Sequence, residues 1–274
     1  MKALFLKLSC LSFLVLFSFT PDVQEFQGQA YYMSKSTMDL GSWGARMSEA
    51  QKKQVMARLK NRLEKTYVLS FDKQMSLFNE QDKLDAMSGA TDSWGQNFTQ
   101  GEIFKNVKEN ALVQSQEFYG KQFLVKDKIQ EFQWQLGKES KMIGNYMCFK
   151  ATTAVPSQEL EWYNFSWGDL RQADKAADSA GTTPEIKMTQ IEAWYSPQIP
   201  VSHGPSEYAG LPGLILEVSA GNTTMVCTKI VMNPDEKVKI EAPSKGKEIT
   251  KKAYKETITG KMMEMRNNRG RRRS

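Results

Sequence analysis

The chain carries one histidine, His203, in 274 residues, and that scarcity removes several chemistries together. A Ser-His-acid or Cys-His catalytic group would have to use this imidazole. It sits in an HGP turn with no nucleophile-elbow pattern around it, which reads as a turn-packed ring. HExxH, CxxC and clustered His/Cys ligands are missing, so a zinc or redox-metal site of ordinary type is not expected. No Gly-rich loop opens a helix to cradle phosphate, and no cofactor is expected. No repeat of 20–50 residues is visible, and no apolar run reaches the roughly 20 residues of a membrane-spanning helix.

The longest apolar run, Leu8–Phe19, follows Lys2 and Lys7 and precedes a polar stretch. That is the layout of a secretory signal peptide, assigned here to residues 1–20. The protein is therefore expected to be exported, periplasmic or outer-membrane associated, and not an integral membrane protein. The formal charge of +6 is uneven: residues 1–20 carry +2 and residues 245–274 carry +8, leaving −4 over residues 21–244. A basic tail on a mildly acidic body is a poor nucleic-acid binder, and no nucleic acid is expected as a partner. Such a tail is either solvated or drawn to an anionic envelope surface. Its Met262, Met263 and Met265 could bind Cu(I) as thioethers, but beside so many cations they read as an adaptable apolar face.

Beyond the signal only Cys148 and Cys227 remain. An even count in an oxidising compartment favours a disulfide; the alternative is two buried thiols on separate strands.

Local patterns predict a mainly β (α+β) fold: one curved or rolled antiparallel sheet with one packed helix and a C-terminal helix. Phe26–Ser34 alternates as a first strand. Ser48-Glu49-Ala50-Gln51 is a capping box opening a helix over 48–65, with Met56, Leu59 and Leu63 on one stripe. Tyr67–Phe71 and Gln74–Phe78 form a hairpin turned at Asp72-Lys73. A Gly/Ser/Asn-rich loop at 88–101 precedes short strands at Ile103–Val107, Leu112–Tyr119, Gln122–Val125, Glu131–Leu136 and Lys141–Ala154. More follow at Lys187–Tyr195, Leu214–Ser219 and Thr223–Met232, with Lys237–Ala242 as an edge strand. The β domain spans 21–244. In the basic segment 245–274, Tyr254, Ile258, Met262 and Met265 mark a marginal helix over 250–266, followed by a disordered tail.

Two stretches stand apart. The insertion 156–186 packs Trp162, Tyr163, Phe165 and Trp167 into six positions. Such rings either present flat faces to a sugar or protein partner or cap the open end of the sheet. The second stretch, Trp194–Val218, holds Pro197, Pro200, Pro205 and Pro212 among Gly204, Gly210 and Gly213. It reads as a stiff connection ending in a Pro212-Gly213 turn of type II character, from which a doubly buried strand leaves.

Gly210–Ile215 spell GLPGLI, and the chain resembles the GLPGLI family of secreted bacterial proteins. Ala193–Pro205 is similar to the segment preceding that motif. Trp134, Glu139, Lys141, Ile143, Tyr146, Cys148, Lys150 and Ala151 are similar to the family's other recurrent block. The structural motif on this reading is Trp194, Tyr195, Pro200, Gly204, Pro205, Gly210, Leu211, Pro212 and Gly213. The resemblance implies no catalytic residue. It implies genes that lie near those of outer-membrane TonB-dependent receptors, and the expectation is a non-catalytic accessory or binding protein for which an outer-membrane transport protein is the candidate partner. Two alternatives stand beside it: an envelope hydrolase using two of Glu139, Glu161, Glu192, Glu207 and Glu217, and a carrier holding an apolar ligand in the sheet concavity.

Overall fold

The structure is a computed structural model that describes residues 26–38, 44–81, 100–160, 162–165 and 186–271. The signal assigned to 1–20, Glu161, Trp167 and most of the 88–101 loop lie outside the described residues.

The strands are β1 (Gln27–Ser36), β2 (Glu64–Asp72), β3 (Met75–Glu80), β4 (Ile103–Asn106), β5 (Ala111–Phe118), β6 (Lys121–Asp127), β7 (Gln135–Ile143), β8 (Tyr146–Pro156), β9 (Met188–Ser196), β10 (Leu214–Ala220), β11 (Thr223–Met232) and β12 (Lys247–Ile249). The helices are α1 (Glu49–Leu63), α2 (Ser157–Leu160) and α3 (Lys251–Arg271). The strands join in one sheet, ordered β12-β6-β5-β4-β3-β2-β1-β11-β10-β9-β8-β7. The expected mainly β architecture is what forms, with one parallel pair, β12 beside β6, in an otherwise antiparallel sheet.

Register places the core. Gly28 pairs with Phe71, Phe71 with Ser76, Ser76 with Lys105, and Lys105 with Leu112, so these residues share one face across β1–β5. That face and its two-residue neighbours supply Ala30, Tyr32, Leu69, Phe71, Phe78, Ile103 and Leu112 to one buried cluster. Cys148, Trp194, Leu214, Leu216 and Cys227 of β8–β11 belong to the same cluster, so the sheet rolls until its two halves meet. The concavity expected to accept an apolar ligand is thus filled by side chains. A second cluster, with Phe132, Ala151, Ile191, Tyr195, Leu211 and Ile215, packs on the other face of β8–β10.

The local signals act as their chemistry requires. Ser48 and Gln51 form the reciprocal capping box of α1, whose Val55, Met56, Leu59 and Leu63 are half-buried. Asp72 turns the β2–β3 hairpin by accepting from the Gln74 and Met75 amides, at 2.7 and 2.6 Å. Thr250 caps α3 by accepting from the Ala253 amide, and Tyr254, Ile258 and Met262 bury the expected stripe.

Other expectations are corrected. Residues 237–242 alternate in burial but form no strand. β1 already has both neighbours, β2 and β11, and the passing chain gives its Val238 amide to the Gln27 side chain instead of a strand ladder. β7 starts at Gln135, leaving Trp134 outside it. Helix α3 reaches Arg271, past the predicted end at 266. At Pro212-Gly213 there is no type II turn: the positive φ belongs to Gly210, at 93°, and Gly213 donates to the Leu211 carbonyl two residues back. Gly213 is required for approach instead, since a Cβ there would lie 2.3 Å from the Ser196 carbonyl oxygen. No disulfide forms; both cysteines are free and buried. They stand on β8 and β11, three strand steps apart in the sheet, and each thiol donates to a carbonyl of its own strand, Tyr146 and Lys229.

Candidate functional site

The polar interior gathers at residues 203–209. Lys105 projects from β4 on the inward face and is fully buried. Its Nζ donates to three carbonyls of the corner: Gly204 at 2.8 Å, Ser206 at 2.7 Å and Tyr208 at 3.0 Å. Burial pushes its pKa down to about 7, and Glu207 opposes that shift. The carbonyls converge because Ser206 takes a left-handed φ of 50°, an unusual choice for a residue with a side chain. Gly204 has no room for a Cβ, which would sit 2.8 Å from Ile215 Cδ1.

His203 and Glu207 extend the node. The ring is buried, with Nε2 3.1 Å from the Asp72 carbonyl oxygen. Because that partner only accepts, Nε2 carries the proton and Nδ1 presents a lone pair. Burial, then the neighbouring Lys105, hold the imidazole down at about 3. Glu207, also buried, accepts from Trp162 Nε1 at 2.6 Å and from Lys251 at the start of α3. Further bonds tie Gln100 to Ser206, Trp134 Nε1 to the Ala209 carbonyl, and the Tyr32 hydroxyl to the Ile215 carbonyl. Of the motif residues in the sequence reading, Gly204 takes part in this bonded corner through its carbonyl.

Trp162 takes the packing role of its two alternatives. It is buried, edge-on to Tyr254 of α3 at 5.6 Å, under the Lys251 ammonium. Tyr163 and Phe165 are half-buried against the same cluster. The carboxylates raised for hydrolysis face lysines: Glu139 and Glu192 meet Lys150, Glu207 meets Lys251, and Glu217 meets Lys141. Bonding to Lys150 also lowers the Glu192 pKa.

The sequence reading did not single out Lys105, although a lysine flanked by Ile103 and Val107 at the inward positions of a strand was the available signal. It also missed the free end of the sheet. There β7 is the last strand. Leu136 lies opposite Ala151 and Met142 opposite Met147, and Met147, Phe149 and Ala151 alternate onto the same face of β8. Leu136, Met142, Met147 and Phe149 are 61, 56, 42 and 36% exposed, an apolar strip open to solvent. On the opposite face Lys141 sits 4.2 Å over Trp194, with Lys150 beside it. Elsewhere, open clefts of about 820 and 590 Å³ flank the 237–245 segment, away from the corner.

A family model described as a protein of unknown function, Porph_ging, matches residues 134–217, from Trp134 through the corner into β10. No curated protein matches. Among solved structures the chain is similar to PNGF-II in its C2 crystal form, at 14% identity and a TM-score of 0.47, over 85% of this chain and 32% of that one. The P21 form gives 14% and 0.42 over 76% and 28%. The chain spans about a third of the length of PNGF-II, and TM-scores below 0.5 transfer no chemistry. Among the described residues, no helix is long and apolar enough to cross a membrane, and no group of three His, Cys, Asp or Glu is placed to hold a metal.

Proposed function

We propose that this chain is a non-catalytic accessory protein of the bacterial envelope, exported, that docks on a partner protein through the open face of β7 and β8. The exposed strip of Leu136, Met142, Met147 and Phe149 carries this reading. Large apolar side chains contiguous on one face are what interaction surfaces expose and lone surface residues do not. The bulge between Leu136 and Ser140, with Lys138 and Glu139 in it, blunts the edge against added strands. The partner therefore packs an apolar surface on the face and does not extend the sheet. The GLPGLI resemblance directs attention to an outer-membrane transport protein as that partner.

The test is photo-crosslinking from position 142 in envelope membranes, followed by the triple variant Leu136→Ser/Met142→Ser/Phe149→Ser in a tagged pull-down. One outer-membrane transport protein should be crosslinked and should be lost from the pull-down of the variant. Equal recovery by a folded variant would overturn the docking face, and crosslinks to no membrane protein would overturn the partner.

A further inference from the structure

We infer that the carbonyls of Gly204, Ser206 and Tyr208 form a binding site for a primary ammonium, occupied in this chain by its own Lys105. Occupancy of that site sets the docking of α3 and Trp162. The inference concerns the corner alone and does not depend on the partner-binding reading.

Three acceptors converge on one nitrogen at 2.7–3.0 Å, with no donor among them. Only a group with three protons on one atom satisfies all three; a hydroxyl or amide leaves at least one buried carbonyl unpaired. The left-handed Ser206 and the close-packed Gly204 shape the ring from the backbone, so it belongs to the corner and not to the lysine. The residue inside the ring's arc is Glu207, whose carboxylate lies near enough to favour the ammonium electrostatically. That carboxylate holds Trp162 Nε1 and the Lys251 ammonium outside the ring. The charged groups around the cage are thus Lys105 of β4, Glu207 and, when protonated, His203 of the corner, and Lys251 of α3. A cation in the cage fixes the 204–208 curl, and the curl aims Glu207 at its two partners. Without the cation, three carbonyls repel one another, the curl opens, and Glu207 swings off Trp162 and Lys251.

Amide hydrogen exchange reads this directly. Lys105→Met keeps the unbranched stem of the side chain and removes the terminal ammonium. It should speed exchange by at least about tenfold in 203–209 and the first turn of α3, leaving the β8–β9 ladder unchanged. Lys105→Ala should behave likewise, and added ethylammonium should restore protection while tetramethylammonium, which donates nothing, should not. Should the variants fail to fold, lysine-Nζ NMR of the unaltered protein decides. Below the shifted value of about 7, one ammonium should give a slowly exchanging resonance coupled across hydrogen bonds to the corner carbonyls. Wild-type protection in Lys105→Met, equal rescue by both ammonium ions, or the absence of a protected ammonium resonance would each overturn the proposal.

Discussion

The corner at 194–218 and the free edge at 135–149 are both rich in apolar residues, yet one is largely buried and the other exposes its apolar side chains. In the corner most residues are buried, though Pro197, Pro200 and Pro212 are exposed, and bonds reach β1, the β2–β3 turn, β4, the aromatic insertion and α3. At the edge, β7 has a neighbour on one side only, and its apolar residues meet solvent. The difference lies in backbone constraint more than in hydrophobicity. Prolines and glycines give the corner a path along which polar groups can be delivered inward. The edge has a bulge and alternating charge that stop pairing without covering the face.

Glycine substitution should separate the two regions most widely. Gly213→Ala forces a methyl to within 2.3 Å of the Ser196 carbonyl oxygen and 2.8 Å of Pro197 N, both backbone. Overpacking against atoms that cannot rotate away should cost about 3 kcal/mol. Gly137→Ala at the edge meets nothing closer than the Lys150 carbonyl oxygen at 3.2 Å, and should stay within about 1 kcal/mol by the same reasoning. Paired urea titrations check both; similar midpoints would mean the corner is looser than its contacts imply.

Glu207→Gln comes next. It keeps an acceptor for Trp162 but leaves Lys251, which is only 17% exposed, without its counter-charge. A loss of about 2 kcal/mol is expected, short of the 3–5 of a fully buried pair because water reaches the lysine. Removing the matching exposed pair, Lys126 with Glu248, should change the melting temperature little.

These two regions were unequally legible in the sequence. The Ser-x-x-Gln box, the Asp72 turn and the Tyr254/Ile258/Met262 stripe are local signals, and each marks a feature that forms, whereas proline and glycine spacing marked the corner but named the wrong turn within it. What escaped depends on contacts distant in sequence. Lys105 and Gly204 are 99 residues apart, and although the alternation of β4 turns the lysine inward, nothing local says that a carbonyl ring waits for it. The pairing of β12 with β6 likewise depends on where α3 docks. The strand expected at 237–242 has the right alternation but no free neighbour, and the disulfide failed because the cysteine count is silent on which strands are adjacent. Trp162 was ambiguous until the Glu207 carboxylate appeared beneath it.

His203 gives the next effect. Its folded pKa of about 3 lies below the ordinary 6.5, so the unfolded chain takes up a proton that the folded chain refuses. The stability from the neutral ring is complete above pH 6.5 and is lost as pH falls toward 3, by up to about 1.4 kcal/mol per pH unit. Carboxylates titrate in the same window, so the measurement is the difference between wild type and His203→Gln, whose amide can still donate to the Asp72 carbonyl. That difference should shrink or reverse on acidification; a constant difference from pH 7 to 4 would show that the ring titrates normally.

The smallest expected stability effect carries the most functional information. Leu136→Ser with Met142→Ser removes two side chains that are 61 and 56% exposed, so little apolar burial is lost on folding, and unfolding free energy should move by within about 0.5 kcal/mol. Substitutions of the same kind at Leu214 and Leu216, buried in β10, should cost several times more, about 2–5 kcal/mol each. If the edge pair proves as costly as the core pair, the strip is covered by this chain itself and the docking face is wrong. If it is silent in stability while partner recovery collapses, the strip is held exposed for contact, since nothing in the fold then needs it apolar.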